Sequence, residues 1–290
     1  MSILEGLGIA NQAPNASMVE VCADLLNEYR ELAALAEQLT PEQWGTKTDF
    51  FGWTPWDEIA HLCFFDETGL LSVTVPSAFG HHTQALLVEL KQGREISAVA
   101  REKYAVMDGA QLLAYWRTRF ELLVGALVRL DAKERLAWYG PTMSARSFST
   151  ARMMEVWAHG QDIFDVVRAR RGPSRRLKHI AHIGVTTYGW SFVNRNLPVP
   201  DPIPYVELRG VDGETWTWGN ISCENYVRGD AEEFCQLVTQ RRNVADTSLQ
   251  FAGPSAIQWL AIAQCFAGPP ATPPTPGIRT VQYPDAKHEH

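Results

Sequence analysis

Cysteine is scarce in this 290-residue chain, and its five copies follow no framework. Cys22, Cys63, Cys223, Cys235 and Cys265 are scattered, odd in number and contain no C-x-x-C, which excludes both a disulfide scaffold and a zinc ribbon. No apolar run approaches the roughly 20 residues that a membrane span needs. Basic runs that would compete with phosphate counterions are missing, and the net charge of −7 with a pI near 5.6 argues against a nucleic-acid partner. There is no G-x-S-x-G elbow to support Ser/His/Asp catalysis and no Gly-rich phosphate loop. Nor does the chain open on a basic segment followed by an apolar one, so the expectation is a protein without a signal peptide, in a reducing cytoplasm. No repeat of solenoid or propeller period is visible.

What is present is an ordinary globular composition. At 46% hydrophobic and 20% charged residues, a chain of this length buries a large core without staples and suggests two domains. The first 170 residues read as helical. Apolar residues recur with three-four spacing from Ser17 to Leu39, at Met18, Cys22, Leu25, Tyr29, Leu32, Ala36 and Leu39. Thr54 reads as an N-cap, with Pro55 at the first helical position and Asp57 and Glu58 at the positive end of the helix dipole. Two shorter helical stretches follow between Ser77 and Met107. Asp108-Gly-Ala-Gln111 is a capping-box pattern opening a long amphipathic helix. Gly140-Pro141 breaks the pattern, Ser149 or Thr150 is the expected cap of the next helix, and Gly172-Pro173 its expected end. Four substantial helices carrying inward polar residues predict a mainly α protein that begins with a four-helix bundle.

After Pro173 the pattern changes. Ser174 to Phe192 still reads as helix. Tyr205–Arg209 and Glu214–Trp218 alternate with period two around Val211-Asp-Gly213, a hairpin signal, and a third strand includes Tyr226-Val227. Asp230-Ala-Glu-Glu233 caps a predicted helix through Arg241, and Ser255-Ala-Ile-Gln258 another through Phe266. The expected division is a bundle over 1–172, a smaller α+β domain over 173–268 and a loosely ordered proline-rich tail over 269–290.

The candidate chemistry centres on Glu155 and His159. Four residues apart, they share one face of a helix about one turn apart and can grip one divalent metal. A third ligand from another helix would leave an open position, as catalytic zinc sites do. His61, mid-helix among large apolar residues, is the candidate, and a satisfied core histidine is the alternative. Arg152, Glu155, His159 and Asp162 form a polar stripe on an otherwise apolar helix, which by pattern alone can also be a solvent face. Elsewhere His81-His82 reads as an exposed loop, His179-Ile-Ala-His182 has ligand spacing without a third partner, and His288 and His290 lie in the tail. The basic cluster from Arg168 to Lys178 reads as a solvated helix end.

Thr54-Pro-Trp-Asp-Glu-Ile-Ala-His61-Leu, followed by Arg152-x-x-Glu155-x-x-x-His159-Gly-Gln-Asp162-Ile, resembles the metal-binding N-terminal domain of the mycothiol-dependent maleylpyruvate isomerases, within the DinB/YfiT-like superfamily of four-helix metalloproteins. The resemblance covers about residues 15–170, and Tyr205 to Phe266 looks like the smaller, sterol-carrier-like domain of the same enzymes. It implies that His61, Glu155 and His159 are metal ligands, usually for zinc, and that a low-molecular-weight thiol such as mycothiol or glutathione is the cofactor. The implied function is a zinc enzyme that activates this thiol for isomerisation or thiol transfer on a small electrophilic, acidic substrate. Thiolate addition to an electron-poor alkene, bond rotation and loss of the thiol would give the trans isomer; a leaving group would make the same step an S-transfer. Arg152 would orient Glu155 or bind a substrate carboxylate, and Asp162 would fix the tautomer of a ligand histidine. Arg228, Arg241 and Arg242 are left undecided as second-domain contributors. Two rival classes remain: a metal-stabilised binding protein for an apolar or acyl ligand, and a hydrolase using metal-bound water. The expected partners are small molecules only, with no nucleic acid or membrane, in a monomer or homodimer. This chain is longer than a minimal two-domain isomerase, mainly between Ser77 and Asp108 and at its proline-rich end.

Overall fold

The computed structural model describes residues 15–283; His288 and His290 lie outside the described residues. The chain divides into two compact units, one ending at Val166 and one starting at Val167.

The first unit is helical. Helix α1 spans Ala16–Ala36, capped by Asn15, whose side chain accepts from the Ser17 amide at 2.9 Å. Its predicted apolar stripe is buried from Met18 through Leu25 and Tyr29 to Ala36. A single turn, α2, covers Pro41–Trp44. Helix α3, Pro55–Thr74, starts at the expected place, with Thr54 and Asp57 forming a reciprocal capping box. The segment leading to Asp108 forms two helices, α4 (Pro76–Lys91) and α5 (Ile96–Tyr104). They line a cavity of about 470 Å³ with His82, Leu86, Arg94 and Lys103. His81 and His82 therefore sit on a helix rather than in the predicted loop, and His82 Nε2 is 3.0 Å from the Tyr139 hydroxyl. Helix α6, Gly109–Leu127, follows the Asp108–Gln111 capping box.

Around the Gly140-Pro141 break the chain forms a small antiparallel pair that was not expected, β1 (Arg135–Leu136) with β2 (Met143–Ser144). Helix α7 then runs over Ala145–Val167, beginning before the predicted caps. Ser149 Oγ donates to the Ala145 carbonyl and Thr150 Oγ1 to that of Ser147, each at 3.0 Å, so both hydroxyls bond back into the helix instead of capping it. The helix stops ahead of Gly172-Pro173 because Arg168 adopts a left-handed φ of 54°.

One buried carboxylate ties the four long helices together. Asp66 on α3 accepts from Tyr29 Oη of α1, from Trp116 Nε1 of α6 at 2.8 Å and from Arg152 Nε of α7 at 3.0 Å. Around it, Tyr29 stacks on Phe120 with ring centroids 4.6 Å apart, and Trp116 meets both edge-on.

The second unit is α+β. The predicted single helix splits into α8 (Leu177–Thr186) and α9 (Tyr188–Val193). Strands β3 (Tyr205–Arg209) and β4 (Thr215–Trp218) pair antiparallel, with Leu208 opposite Trp216. Their turn needs left-handed backbone at Asp212 (φ 57°) and Gly213 (φ 76°), which is why an Asp-Gly pair occupies it. Strand β5, Tyr226–Asp230, runs parallel to β3, and β6, Gln250–Ala252, is an antiparallel edge too short to register as a sequence pattern. The order is β4-β3-β5-β6. Helix α10 (Ala231–Val238) begins at the Asp230 cap but stops short of Arg241, where Gln240 turns left-handed at φ 57°. Helix α11 covers Pro254–Leu260 rather than reaching Phe266. Beyond it the proline-rich segment has no helix or strand among its described residues, yet it is pinned: Asn243 Nδ2 donates to the Pro274 carbonyl and Arg279 Nη1 to that of Gln240, both at 2.8 Å.

Candidate metal centre

The polar stripe of α7 does not face solvent. Arg152, His159 and Asp162 are all buried, and only the Glu155 side chain keeps a quarter of its surface exposed. The helix is apolar on its other sides too, with Met153, Val156 and Ile163 buried, so its polar groups must find partners inside the bundle.

Those partners come from α3, Glu58 and His61 in its first two turns and Asp66 further along it. The Thr54–Asp57 box fixes where that helix begins, and Glu58 and His61, three apart, project from one face. His61 Nε2 lies 3.9 Å from Glu155 Oε2, and His159 Nε2 lies 3.3 Å from the same oxygen. The two imidazole centroids are 4.4 Å apart. All three donor atoms fall within 4.8 Å of one another. Metal–ligand bonds of roughly 2.0–2.1 Å at tetrahedral angles require donors about 3.3–3.4 Å apart, so one ion can be shared with little adjustment.

The other nitrogen of His159 is also engaged. Nδ1 sits 2.7 Å from Oε2 of Glu58, whose side chain is fully buried. In the metal-free chain burial works to raise the Glu155 carboxyl, while hydrogen bonding and charge from protonated His159 and His61 rings hold it well below the ordinary carboxylate range, a role that a divalent cation would take over from those protons. An ionised Glu155 facing two imidazole nitrogens is a donor set with the chemistry of a divalent-metal site.

Aromatic rings wall the triad. Trp53 stacks on His159 with centroids 5.9 Å apart and tilts over His61 at 5.3 Å; Phe50 meets His159 edge-on at 5.5 Å, and Phe65 lies 4.8 Å from His61. Phe50 and Trp53 belong to the turn before α3, folded back by left-handed backbone at Phe51 and Gly52 and closed by the Thr48 amide on the Trp53 carbonyl at 2.7 Å.

The structure thus brings His61, Glu155 and His159 together. Arg152 lies one turn before Glu155, with its guanidinium on Asp66 at 2.9 Å; burial opposes its charge, and Asp66 more than offsets that, raising its pKa. Asp162 joins Glu58 and His159 in a second group of donor atoms within 4.8 Å, all three residues buried. Sequence reasoning missed Glu58, Asp66, Phe50 and Trp53 as neighbours of the site. Glu58 read as a dipole-favouring residue, although its Glu-x-x-His spacing to His61 was visible. In the second unit, His182 Nδ1 accepts from Trp218 Nε1 at 3.2 Å, and neither it nor His179 joins a metal-like group among the described residues.

Residues 25–164 match the family model described as the mycothiol maleylpyruvate isomerase N-terminal domain. Two relatives from Mycobacterium tuberculosis, one from strain CDC 1551 / Oshkosh and one from strain ATCC 25618 / H37Rv, both bear the name uncharacterized protein. Each is 40% identical over 248 residues, which is 86% of this chain and 95% of the relative. Among solved structures, a mycothiol-dependent maleylpyruvate isomerase and a histidine-to-alanine mutant of it are similar at TM-scores of 0.48 and 0.49. Each is 13% identical, covering 76% of this chain and 88% of that one.

Proposed function

We propose, for a chain that belongs through residues 25–164 to the mycothiol maleylpyruvate isomerase N-terminal domain family, a metal-dependent enzyme that activates a low-molecular-weight thiol for isomerisation or thiol transfer on a small electrophile. The observation that carries this reading is the convergence of His61 Nε2, His159 Nε2 and Glu155 Oε2 from two helices. With Nδ1 of His159 donating to Glu58, a neutral ring turns its Nε2 lone pair toward a carboxylate oxygen only 3.3 Å away. Two acceptors that close repel unless a cation or a proton lies between them. Two neutral imidazoles and one carboxylate suit zinc, and a divalent ion held by them would supply Lewis-acid chemistry, lowering the pKa of a thiol or water.

The chain's own residues would do the rest. His61, Glu155 and His159 would hold the ion. The exposed edge of Glu155 gives access from solvent, while Trp53, Phe50 and Phe65 exclude water from the other sides and strengthen electrostatics within. Arg152, bound to Asp66, would act by holding α7 against α3 one turn from Glu155. The family is named for mycothiol and maleylpyruvate, which favours mycothiol as the thiol and an electron-poor alkene of the maleylpyruvate kind as the electrophile.

The test is metal analysis of the purified protein followed by assay with and without added thiol. About one zinc per chain is expected, lost in His61→Ala, Glu155→Ala and His159→Ala, each with the helical circular dichroism unchanged because the core is apolar. Turnover of a thiol-reactive alkene should require both the metal and the thiol. Turnover without thiol would instead mark a hydrolase, and zinc retained in all three variants would dismiss the triad.

A further inference from the structure

We infer that Glu58 is the residue that positions His159 for the metal, by deciding which ring nitrogen carries the proton. This rests on the triad being the metal centre.

The argument starts from hydrogen-bond chemistry. An ionised carboxylate only accepts, and a neutral imidazole has one donor nitrogen and one acceptor nitrogen. Glu58 Oε2 lies 2.7 Å from His159 Nδ1, with the Glu58 side chain wholly buried and that of His159 nearly so. At that separation Nδ1 is the donor to an ionised Glu58, so whenever the ring is neutral it is Nε2 that carries the lone pair. Nε2 is the nitrogen that faces Glu155 and His61. The ring is also clamped in rotation, between Trp53 on one face and the edge of Phe50.

The arrangement crosses two helices. Helix α7 supplies the ligand pair Glu155 and His159. Helix α3 supplies the ligand His61 and, three residues before it, the support Glu58. A shift of α3 along α7 would therefore disturb a ligand and its support at once, so the register that Asp66 and Arg152 fix between these helices also sets the metal centre. Asp162, three beyond His159 on its own helix, lies in the same buried group, and Glu58 is the residue whose carboxylate stands 2.7 Å from Nδ1.

The experiment uses the full chain. In metal-free wild-type protein labelled with ¹⁵N-histidine and titrated to a pH at which the ring is neutral, the His159 signals, assigned by their loss in His159→Gln, should report protonated Nδ1 and unprotonated Nε2. Glu58→Gln should blur or reverse that preference, because its amide can donate to Nδ1. It should weaken zinc binding, read by competition with a chromophoric chelator, by about 10–100-fold. Glu58→Asp, which keeps the carboxylate, should recover part of the loss. A neutral His159 ring protonated at Nε2 rather than Nδ1 in the metal-free wild type overturns the inference whether or not zinc binds. So does a Glu58→Gln protein that binds zinc as tightly as wild type, a result that leaves the triad itself standing. Failure of the wild type to bind zinc, with the Nδ1 tautomer present, would sink the metal reading and leave only the ring-orienting role.

Discussion

Removing the Asp66 carboxylate should come close to unfolding the helical unit. In Asp66→Ala, the Arg152 guanidinium, 3% exposed, loses its counter-charge, and the Tyr29 hydroxyl and Trp116 indole N–H lose their acceptor. Breaking a buried ion pair by deleting one partner typically costs about 3–5 kcal/mol. Each stranded neutral donor adds about 1–3 kcal/mol. These overlap, since water entering the small cavity would serve several donors, so a total of about 5 kcal/mol is expected. Against a domain stability of roughly 5–15 kcal/mol that is severe. Asp66→Asn combined with Arg152→Met isolates the charge: the amide still accepts from Tyr29 or Trp116, and no buried cation is left over. The double variant should be more stable than Asp66→Ala by about 2 kcal/mol or more. The assay is urea denaturation of the full chain, followed by circular dichroism and by tryptophan emission, since the two units can unfold separately. An Asp66→Ala protein within about 1 kcal/mol of wild type would refute the idea that this cluster clamps the four helices.

Two further outcomes follow from the same geometry. Asp162→Asn should keep the fold and weaken zinc binding toward the lower end of about 10–100-fold, measured by chelator competition; an unchanged affinity would remove Asp162 from the support of His159. Glu67 accepts from Lys103, Tyr104 and Tyr115; burial pushes its carboxyl up, but these bonds outweigh it and hold the pKa below 4.5. A depressed folded pKa contributes stability that is present above the unfolded value and lost as pH falls through the folded one. The stability gap between wild type and Glu67→Gln should therefore be widest near neutral pH and narrow as acidification carries the solution below the ordinary carboxylate range, and a gap independent of pH would contradict it.

The sequence by itself determined the helical bundle, the α+β character of the second half and the three residues of the triad. Local rules sufficed for the first two. Thr54, Asp57, Asp108 and Gln111 start helices by contacts within four residues, Asp212-Gly213 turns a hairpin through its own backbone preference, and three-four apolar spacing marks the buried face of α1. Glu155 and His159 were legible because a helix repeats every 3.6 residues, and His61 became a candidate through its surrounding motif. Other boundaries failed for local reasons that spacing hides: Arg168 and Gln240 end their helices in left-handed backbone that neither side chain favours, and β6 is three residues long. Only the tertiary structure decided which side of α7 was wet. A polar stripe on an apolar helix has the same pattern whether it meets solvent or a second set of polar groups, and the difference is made by Asp66, Glu58 and His61 on α3, about a hundred residues away. The partner of His159 Nδ1 is such a case. Sequence spacing offered Asp162 on the same helix as an acceptor for a ligand histidine, and the structure adds Glu58 from across the bundle, 2.7 Å from Nδ1, because packing sets distances between helices that no within-helix period encodes.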